Sequence, residues 1–221
     1  MNQVVVVTGA NRGICLSLCK HYVSLGWAVI AVCRTPSPAL SALDVKIVQD
    51  IDITLPSSIA ALKQSLGDTK IHLLINNAGI LRDEKIANLN YETIRYQFEV
   101  NTLGPLRVTE ALQRNMTDGG KIAFITSRMG SIEDNTSGGR YGYRMSKCAL
   151  NAAAVSIAHD LADKNIAVAI LHPGLVGTNM IGDMGNVTPD QAAEQLASRI
   201  EALNITNPAT FWHTKDHQLP W

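Results

Sequence analysis

The stretch V-V-V-V-T-G-A-N-R-G-I-C, which runs from Val4 to Cys15, decides the fold of this chain. Its four consecutive β-branched residues are typical of a parallel strand that is buried on both faces. Thr8-Gly9 opens a tight turn, and the amphipathic stretch from Ile14 to Leu25 is typical of a helix. A strand, a Gly-rich turn and a helix N-terminus in this order direct backbone N–H groups and the positive end of the helix dipole at a pyrophosphate. The stretch therefore predicts a dinucleotide-binding α/β fold.

The rest of the chain continues the alternation of strands and helices that a doubly wound sheet requires. Further apolar, strand-like runs occur at 28–32, 45–48, 72–75, 121–126 and 167–171, with a short seventh strand expected at 211–212. Helical patterns lie between them, notably at 91–116, 141–163 and 189–203. We therefore predict a Rossmann-like, mostly parallel sheet of about seven strands with helices on both faces. One domain spanning residues 1–221 is expected, because no linker or repeat interrupts the pattern.

Composition excludes several classes of function. A chain of 221 residues with 46% apolar residues can bury one sizeable core. Its 19 basic and 19 acidic side chains leave no charge excess that would favour nucleic acid or a membrane surface as a partner. No apolar run approaches the ~18 residues of a membrane span, and the first strand begins too soon for a signal peptide.

The four cysteines contain no C-x-x-C pair, which favours reduced thiols in the cytoplasm. His213 and His217 lack a third ligand, so no metal site is expected.

A second motif, Y-G-Y-R-M-S-K, places Tyr143 and Lys147 four residues apart. On a helix, side chains at this spacing lie above one another on the same face. A free phenol titrates near pH ~10 and is a poor acid–base catalyst at neutral pH. A fixed ammonium group one helical turn away stabilises the phenolate and lowers its pKa. The pair therefore predicts a tyrosine that transfers a proton at neutral pH.

These motifs, in this order, resemble the short-chain dehydrogenases/reductases, whose pattern runs from the Gly-rich turn to a loop beside the nicotinamide. The matching residues are Thr8–Ile14, Asn76–Gly79, Asn101, Ser127, Tyr143, Lys147 and Pro173–Thr178. The extended loop G-S-I-x-x-N-T-x-G-G at 130–139 and the final Leu219-Pro220-Trp221 resemble the family's C-factor-like and sniffer-like carbonyl reductases. The resemblance implies NADPH-dependent reduction of an aldehyde, ketone or quinone. It also implies a homodimer or homotetramer.

The resemblance assigns roles to the residues of the reaction site. Tyr143 is implied to be the general acid, and Lys147 is implied to lower its pKa and to hold the nicotinamide ribose. Ser127 would hydrogen-bond the substrate oxygen. Asn101 would hold a water molecule that relays protons through Lys147. Ser131 competes with Ser127, and we expect it nearer the substrate than the reacting atoms.

A larger set of residues is implied to bind the cofactor. The set consists of Gly9, Asn11, Arg12, Gly13, Ile14, Arg34, Asp52, Ile53, Asn77, Ala78, Gly79, Tyr143, Lys147, Pro173, Gly174, Val176 and Thr178. Enzymes that select NAD usually end the second strand with an acid that binds the ribose 2′-hydroxyl. Here that strand is followed by Arg34, and Arg12 lies in the turn, so two guanidinium groups can hold a 2′-phosphate. NADPH is therefore the expected cofactor, with NADH possible. Asp52 is expected on the adenine side, with Asp50 as the alternative.

Three local features affect these expectations. Cys15 replaces the third glycine of the turn, which predicts a slightly displaced helix. The substrate lid is very short, near residues 179–188, with turn-prone positions at Gly182, Asp183 and Gly185. An asparagine before Gly104-Pro105 predicts a kink in the long helix.

Two other functions compete with carbonyl reduction. The likeness to C-factor makes a cofactor-binding signalling protein with vestigial catalysis one alternative. The complete set of Asn101, Ser127, Tyr143 and Lys147 argues against it. A sugar-nucleotide epimerase of the family's extended branch is the other alternative. Its turn has the spacing G-x-x-G-x-x-G, whereas three residues separate Gly9 from Gly13 here.

Overall fold

The computed structural model describes residues 2–182, 184–206, 209–215 and 217–221, and these contain a sheet of eight strands. In chain order they are β1 (Val4–Thr8), β2 (Ala28–Val32), β3 (Lys46–Val48), β4 (Ile71–Asn76), β5 (Met116–Ile125), β6 (Ala167–His172), β7 (Phe211–His213) and β8 (His217–Gln218). Their order across the sheet is β3-β2-β1-β4-β5-β6-β7-β8. All neighbouring pairs are parallel except β7 and β8. The predicted Rossmann-like fold is confirmed, and the short antiparallel β8 is an addition to it.

Helices cover both faces of this sheet. They are α1 (Gly13–Ser24), α2 (Pro38–Ser41), α3 (Pro56–Leu66), α4 (Tyr91–Phe98), α5 (Gly104–Leu112), α6 (Tyr141–Asp160) and α7 (Pro189–Glu201). Along β1, Val5 and Val7 pack into one apolar core with α1 and α7, whereas Val6 packs into the other with α3, α5 and α6. This alternation follows from the two-residue period of a strand. It explains why the first four positions of β1, Val4 to Val7, are all apolar.

The strand order reverses between β1 and β4, and a crevice forms at the carboxyl ends of these strands. The side chain of Thr8, the last residue of β1, ties the two strand ends together. Its hydroxyl donates to the carbonyl of Ile75 (3.4 Å) and accepts from the backbone N–H groups of Asn77 (3.2 Å) and Ala78 (3.3 Å). The Gly-rich turn and the N-N-A-G motif, distant in sequence, therefore lie side by side.

The sequence predicts one helix over 91–116. The structure interrupts this helix, and the prediction is wrong at its C-terminal end. A π-helical turn, Glu99–Leu103, separates α4 from α5, and Met116 already begins β5. Pro105 has no N–H group to continue a regular helix, so a kink was expected there, and the π turn supplies it. Gly104 permits the close approach of this segment to Ile53, because an added Cβ would lie 2.5 Å from the Ile53 Cδ1 atom.

No helix in the described ranges combines the length and apolar character needed to cross a bilayer. The four cysteines are Cys15, Cys19, Cys33 and Cys148, and all are free thiols.

Candidate active site

A cavity of about 480 Å³ lies at the carboxyl ends of the central strands, and we call it the turn cavity. Its wall contains every residue that the sequence implied for cofactor binding except Gly174 and Val176. Those two residues line a second cavity of about 620 Å³, which we call the serine cavity because Ser127 lines it. Tyr143 and Pro173 line both cavities. Asp50, the alternative to Asp52, is not part of the turn-cavity wall.

The Gly-rich turn has the shape of a backbone cradle. Gly9 has φ +72°, and a Cβ added there would lie 3.0 Å from the Cα atom of Ala78. Gly13 has φ +57°, and its added Cβ would lie 3.4 Å from Cγ2 of Thr178. Only glycine satisfies both the left-handed backbone and the close approach. α1 begins at this turn without an acidic residue in its first turn, so its positive end faces the cavity uncompensated. These features fit the pyrophosphate of a dinucleotide.

Cys15 takes the place of the third turn glycine, and its side chain is packed inside the protein, between α1 and the end of β1. It is fully buried, and its thiol donates to the carbonyl of Thr8 at 3.2 Å. Burial raises the pKa of Cys15 well above its ordinary value, so the thiol is neutral. The slight helix displacement that this residue suggested stays a prediction.

Arg12 and Arg34 both line the turn cavity. The Arg34 side chain is 64% exposed, and its Nη1 atom lies 4.0 Å from Oδ2 of Asp52. Asp52 Oδ1 accepts hydrogen bonds from the backbone N–H (2.9 Å) and hydroxyl (2.7 Å) of Thr54. Burial raises the pKa of Asp52, but these two hydrogen bonds and the charge of Arg34 outweigh burial and hold it below its usual value. Both guanidinium groups are therefore available to a phosphate group, since the Asp52 carboxylate is mainly bound elsewhere.

Tyr143 and Lys147 lie one turn apart on α6, as the motif predicted, and both side chains are buried. The Lys147 Nζ atom lies 5.9 Å from the centre of the Tyr143 ring and donates to the carbonyl of Ile125 at 2.9 Å. Burial lowers the pKa of Lys147 to about 8. The ammonium form is therefore the major form at neutral pH, although it is less favoured than in water.

The expected effect of Lys147 on the phenol needs a correction. Burial raises the pKa of Tyr143 above its ordinary value, and it outweighs a side-chain hydrogen bond with Ser127 and the charge of Arg140, which lower it. Ser127 and Arg140 favour the phenolate, but their effect on the Tyr143 pKa is smaller than that of burial. The consequence is a phenol that keeps its proton at neutral pH, which suits a proton donor.

Asn101 lies in the π turn and is fully buried. Its Nδ2 group donates to the carbonyl of Ile80 (2.9 Å) and to the hydroxyl of Ser146 (3.0 Å), and its Oδ1 accepts from the Ile80 N–H (2.8 Å). Both amide N–H groups are thus used within the protein. The side chain fastens the segment after Gly79 to α6, which is a positioning role, and the implied water relay stays a prediction.

The two candidate serines have different partners. The Ser127 side chain lies near enough to Tyr143 to lower the pKa of the phenol, and its Oγ accepts from the N–H of Met129 at 3.2 Å. The hydroxyl of Ser131 instead donates to the carbonyl of Trp221 (2.9 Å) and accepts from the N–H of Asp134 (3.0 Å). Ser127 is therefore the serine that lies beside the phenol.

Glu84 is a positioning residue that the sequence did not reveal. It is 2% exposed, and its Oε2 accepts from the N–H of Gly142 at 3.2 Å, in the first turn of α6. Its Oε1 accepts from the side chains of Thr93 (2.9 Å) and Gln97 (2.6 Å) on α4. The carboxylate thus caps the helix that carries Tyr143, where the helix dipole favours negative charge. No local pattern connects Glu84 with a helix that begins so much later in the chain.

The short lid segment lies where the two cavities meet. A 3-10 turn, Asn179–Ile181, contributes Met180 to both walls. Met184 is 76% exposed and lines neither of them. A Cβ added to Gly185 would lie 1.9 Å from the nitrogen of Gly177, so this position needs glycine. Asp183, also expected in the lid, lies outside the described residues.

Comparison with known proteins agrees with this geometry. The sequence model of a family described as short chain dehydrogenase matches residues 3–188. The chain is 36% identical over 225 residues to 1-hydroxy-2-glutathionyl-2-methyl-3-butene dehydrogenase of Rhodococcus sp. strain AD45, covering 99% of this chain and 100% of that protein. It is also 36% identical over 154 residues to the C-signal protein of Myxococcus xanthus, covering 68% of this chain and 93% of that protein.

Among solved structures, the NADPH-bound carbonyl reductase from chicken fatty liver superimposes with a TM-score of 0.89 at 29% identity. The superposition covers 100% of this chain and 99% of that protein.

Proposed function

Because the chain belongs to the short-chain dehydrogenase family, we propose that it is an oxidoreductase that reduces a carbonyl group of an aldehyde, ketone or quinone with NADPH. The observation that carries the proposal is the position of Tyr143, which lines both the turn cavity and the serine cavity and shares the wall of the serine cavity with Ser127. A dinucleotide in one cavity and a small molecule in the other would therefore meet at a proton donor.

Each residue at this junction contributes a separate step. A bound nicotinamide would supply the hydride. Ser127 and Tyr143 hold the carbonyl oxygen with two hydroxyl groups, and Tyr143 then donates its proton to that oxygen. Lys147 places a positive charge one turn below the phenol and thereby stabilises the phenolate that remains. Asn101 and Glu84 hold the backbone around these groups in place, so the reacting atoms are already oriented.

The residues that would hold most of the cofactor line the turn cavity. The turn around Gly9 and the N-terminus of α1 would take the pyrophosphate. Arg12 and Arg34 would take the 2′-phosphate, and Asp52 and Ile53 would border the adenine.

The experiment that tests this function is a screen of aldehydes, quinones and α-dicarbonyl compounds with purified protein, followed by NADPH absorbance. Reduction of at least one class, with product formation equal to NADPH consumption, is the expected result. Absence of consumption across the panel, with NADPH binding intact by calorimetry, would contradict the proposed activity.

A second candidate function is a cofactor-binding signalling protein, favoured by the identity to C-signal over most of that protein's length. The paired Ser127 and Tyr143 favour catalysis over this candidate, because a binding function requires neither hydroxyl. The Rhodococcus relative is a dehydrogenase of a hydroxy compound, and oxidation by the same residues, with Tyr143 as the base, is the reverse of the reaction proposed here.

We predict that NADPH exceeds NADH in kcat/KM by about 10-fold or more, which corresponds to about 1.4 kcal/mol. Arg34→Ala should weaken NADPH binding and leave NADH almost unchanged, because the guanidinium contacts only the extra phosphate. Raised salt should narrow the difference for the same reason. Steady-state kinetics with both cofactors and calorimetric Kd values provide the measurement.

The matched control for this prediction is Arg114→Ala, since Arg114 is exposed and lines neither cavity. Equal or better use of NADH by the unmodified protein at low ionic strength would refute the assignment.

A further inference from the structure

The charged side chains of the serine cavity are mostly cationic. Its described wall contains Arg128, Arg140, Arg144 and Lys215, together with a single carboxylate, Asp134. Asp134 is bound by Arg128 through two hydrogen bonds, from Nε (2.8 Å) and from Nη2 (2.9 Å). The charges of Arg128 and Asp134 therefore cancel each other. Beyond this pair, the described wall of the serine cavity contains an excess of positive side chains, namely Arg140, Arg144 and Lys215.

Arg144 directly follows Tyr143, and its guanidinium group lacks an acidic partner. In the part of the chain that the structure describes, it forms no ion pair with a carboxylate. Its Nε and Nη2 groups donate to the carbonyl of Gly138 (3.3 Å) and to the hydroxyl of Ser137 (2.9 Å). Its Nη1 group is buried and has no hydrogen-bond partner among the described residues. A buried N–H group without a partner is rare in native proteins and calls for an explanation.

Arg140 adds a second positive charge beside Arg144. Burial and the Arg140 charge lower the pKa of Arg144 and outweigh the charge of Asp134, which raises it, so the two guanidinium groups repel each other. Arg140 also has φ +51°, a backbone conformation that disfavours a side chain such as arginine. Arg140 Nε lies 3.6 Å from Oδ1 of Asp83, whose side chain is 62% exposed, and ion pairs at exposed positions contribute little to stability.

The histidines of the same wall respond to this charge. His172 is 7% exposed, and its Nδ1 atom has no partner in the described ranges. Burial, His213 and Arg128 lower the pKa of His172 to about 3. The pKa of His213 is lowered as well, by burial and by the charges of His217, Lys215 and Arg128. Both imidazoles are therefore neutral at neutral pH, and the excess of arginine and lysine side chains in the wall favours a bound anion.

We propose that the substrate is an acidic carbonyl compound and that the serine cavity binds its carboxylate group between Arg140 and Arg144. This inference rests on the proposed function, since it names the class of substrate for that site. Arg140 borders the first turn of α6 and Arg144 follows Tyr143, so a carboxylate held there lies on the same wall as the proton donor. Arginine pairs hold carboxylates through charge-assisted, often bidentate hydrogen bonds.

The test compares two aldehydes of the same shape, 4-formylbenzoate and 4-formylbenzamide, with NADPH as the reductant. The unmodified protein should show a kcat/KM at least about 10-fold higher for the carboxylate, mainly through KM, and added salt should narrow this ratio. In the double variant Arg140→Gln/Arg144→Gln the ratio should fall to near one. The ratio cancels any general loss of turnover, because both aldehydes need the same proton donor.

Two control variants separate charge from loop structure. Arg144→Lys keeps the charge but loses the planar fork that binds a carboxylate and the contacts to Ser137 and Gly138, so its carboxylate preference should lie between those of the unmodified protein and the double variant. Arg114→Gln removes an exposed arginine outside both cavities and should leave the ratio unchanged. Loss of the preference in Arg144→Lys equal to that in the double variant would assign Arg144 to the loop and overturn the proposal.

A binding measurement keeps this test independent of turnover. Calorimetry on the complex with NADP⁺ should give a Kd for 4-formylbenzoate that is at least about 10-fold lower than for the amide. A carboxylate that binds no more tightly than the amide, including no measurable binding of either, overturns the anion site. If the carboxylate binds more tightly but neither aldehyde is reduced, the anion site stands and the proposed reduction fails for these compounds.

Discussion

Replacing Tyr143 with phenylalanine is expected to lower carbonyl reduction by about 10²-fold or more, which is the usual scale for a general acid. The substitution removes one hydroxyl group and keeps the ring, which is 8% exposed and packed in the wall of both cavities. No other residue in the described part of those walls is a neutral acid placed beside Ser127. The fold and the affinity for NADPH should therefore persist while turnover is lost.

Single-turnover kinetics with an established substrate, together with a calorimetric Kd for NADPH, measures the two parts of this expectation separately. Tyr141→Phe is the matched control, because Tyr141 begins the same helix but lines neither cavity. Near-normal turnover of Tyr143→Phe would remove Tyr143 from the mechanism. An equal loss in Tyr141→Phe would attribute the effect to the helix instead.

The parts of the fold and site that the sequence predicts well are those that depend on local chemistry. The β-branched run before Thr8, the turn glycines and the spacing of Tyr143 and Lys147 each constrain only a few neighbouring residues. Their structure follows from strand, turn and helix geometry. The kink before Pro105 was predictable for the same reason, because a proline cannot donate the hydrogen bond that a regular helix needs.

The parts that the sequence did not predict depend on contacts between distant segments. Glu84 caps α6 from far away in the chain, and nothing in its neighbourhood indicates that it will be buried. The pKa of Tyr143 was expected to fall because Lys147 lies one turn away, but burial by the surrounding loops dominates it. Burial is a property of the whole packed structure, so spacing along one helix cannot supply it.

Ser127→Ala is expected to lower kcat by about 10²-fold, since removing one positioned hydrogen-bond donor to a developing oxyanion has an effect of this size. The hydroxyl of Ser127 lies beside the phenol. Its loss should therefore weaken stabilisation of the reacting oxygen in the transition state more than it weakens substrate binding. Ser131→Ala is the matched control. Its hydroxyl joins Trp221 to Asp134, and its loss should loosen the loop that borders the serine cavity.

The two serine variants should therefore differ in which kinetic constant changes. A drop that appears in kcat and kcat/KM alike indicates an interaction made in the transition state, whereas a rise in KM alone indicates lost binding. We expect the first pattern for Ser127→Ala and a smaller change, mainly in KM or substrate preference, for Ser131→Ala. The reverse pattern in steady-state kinetics would assign the reacting oxygen to Ser131. It would require Ser131 to leave the Trp221 carbonyl when substrate binds, because its hydroxyl proton cannot serve both acceptors.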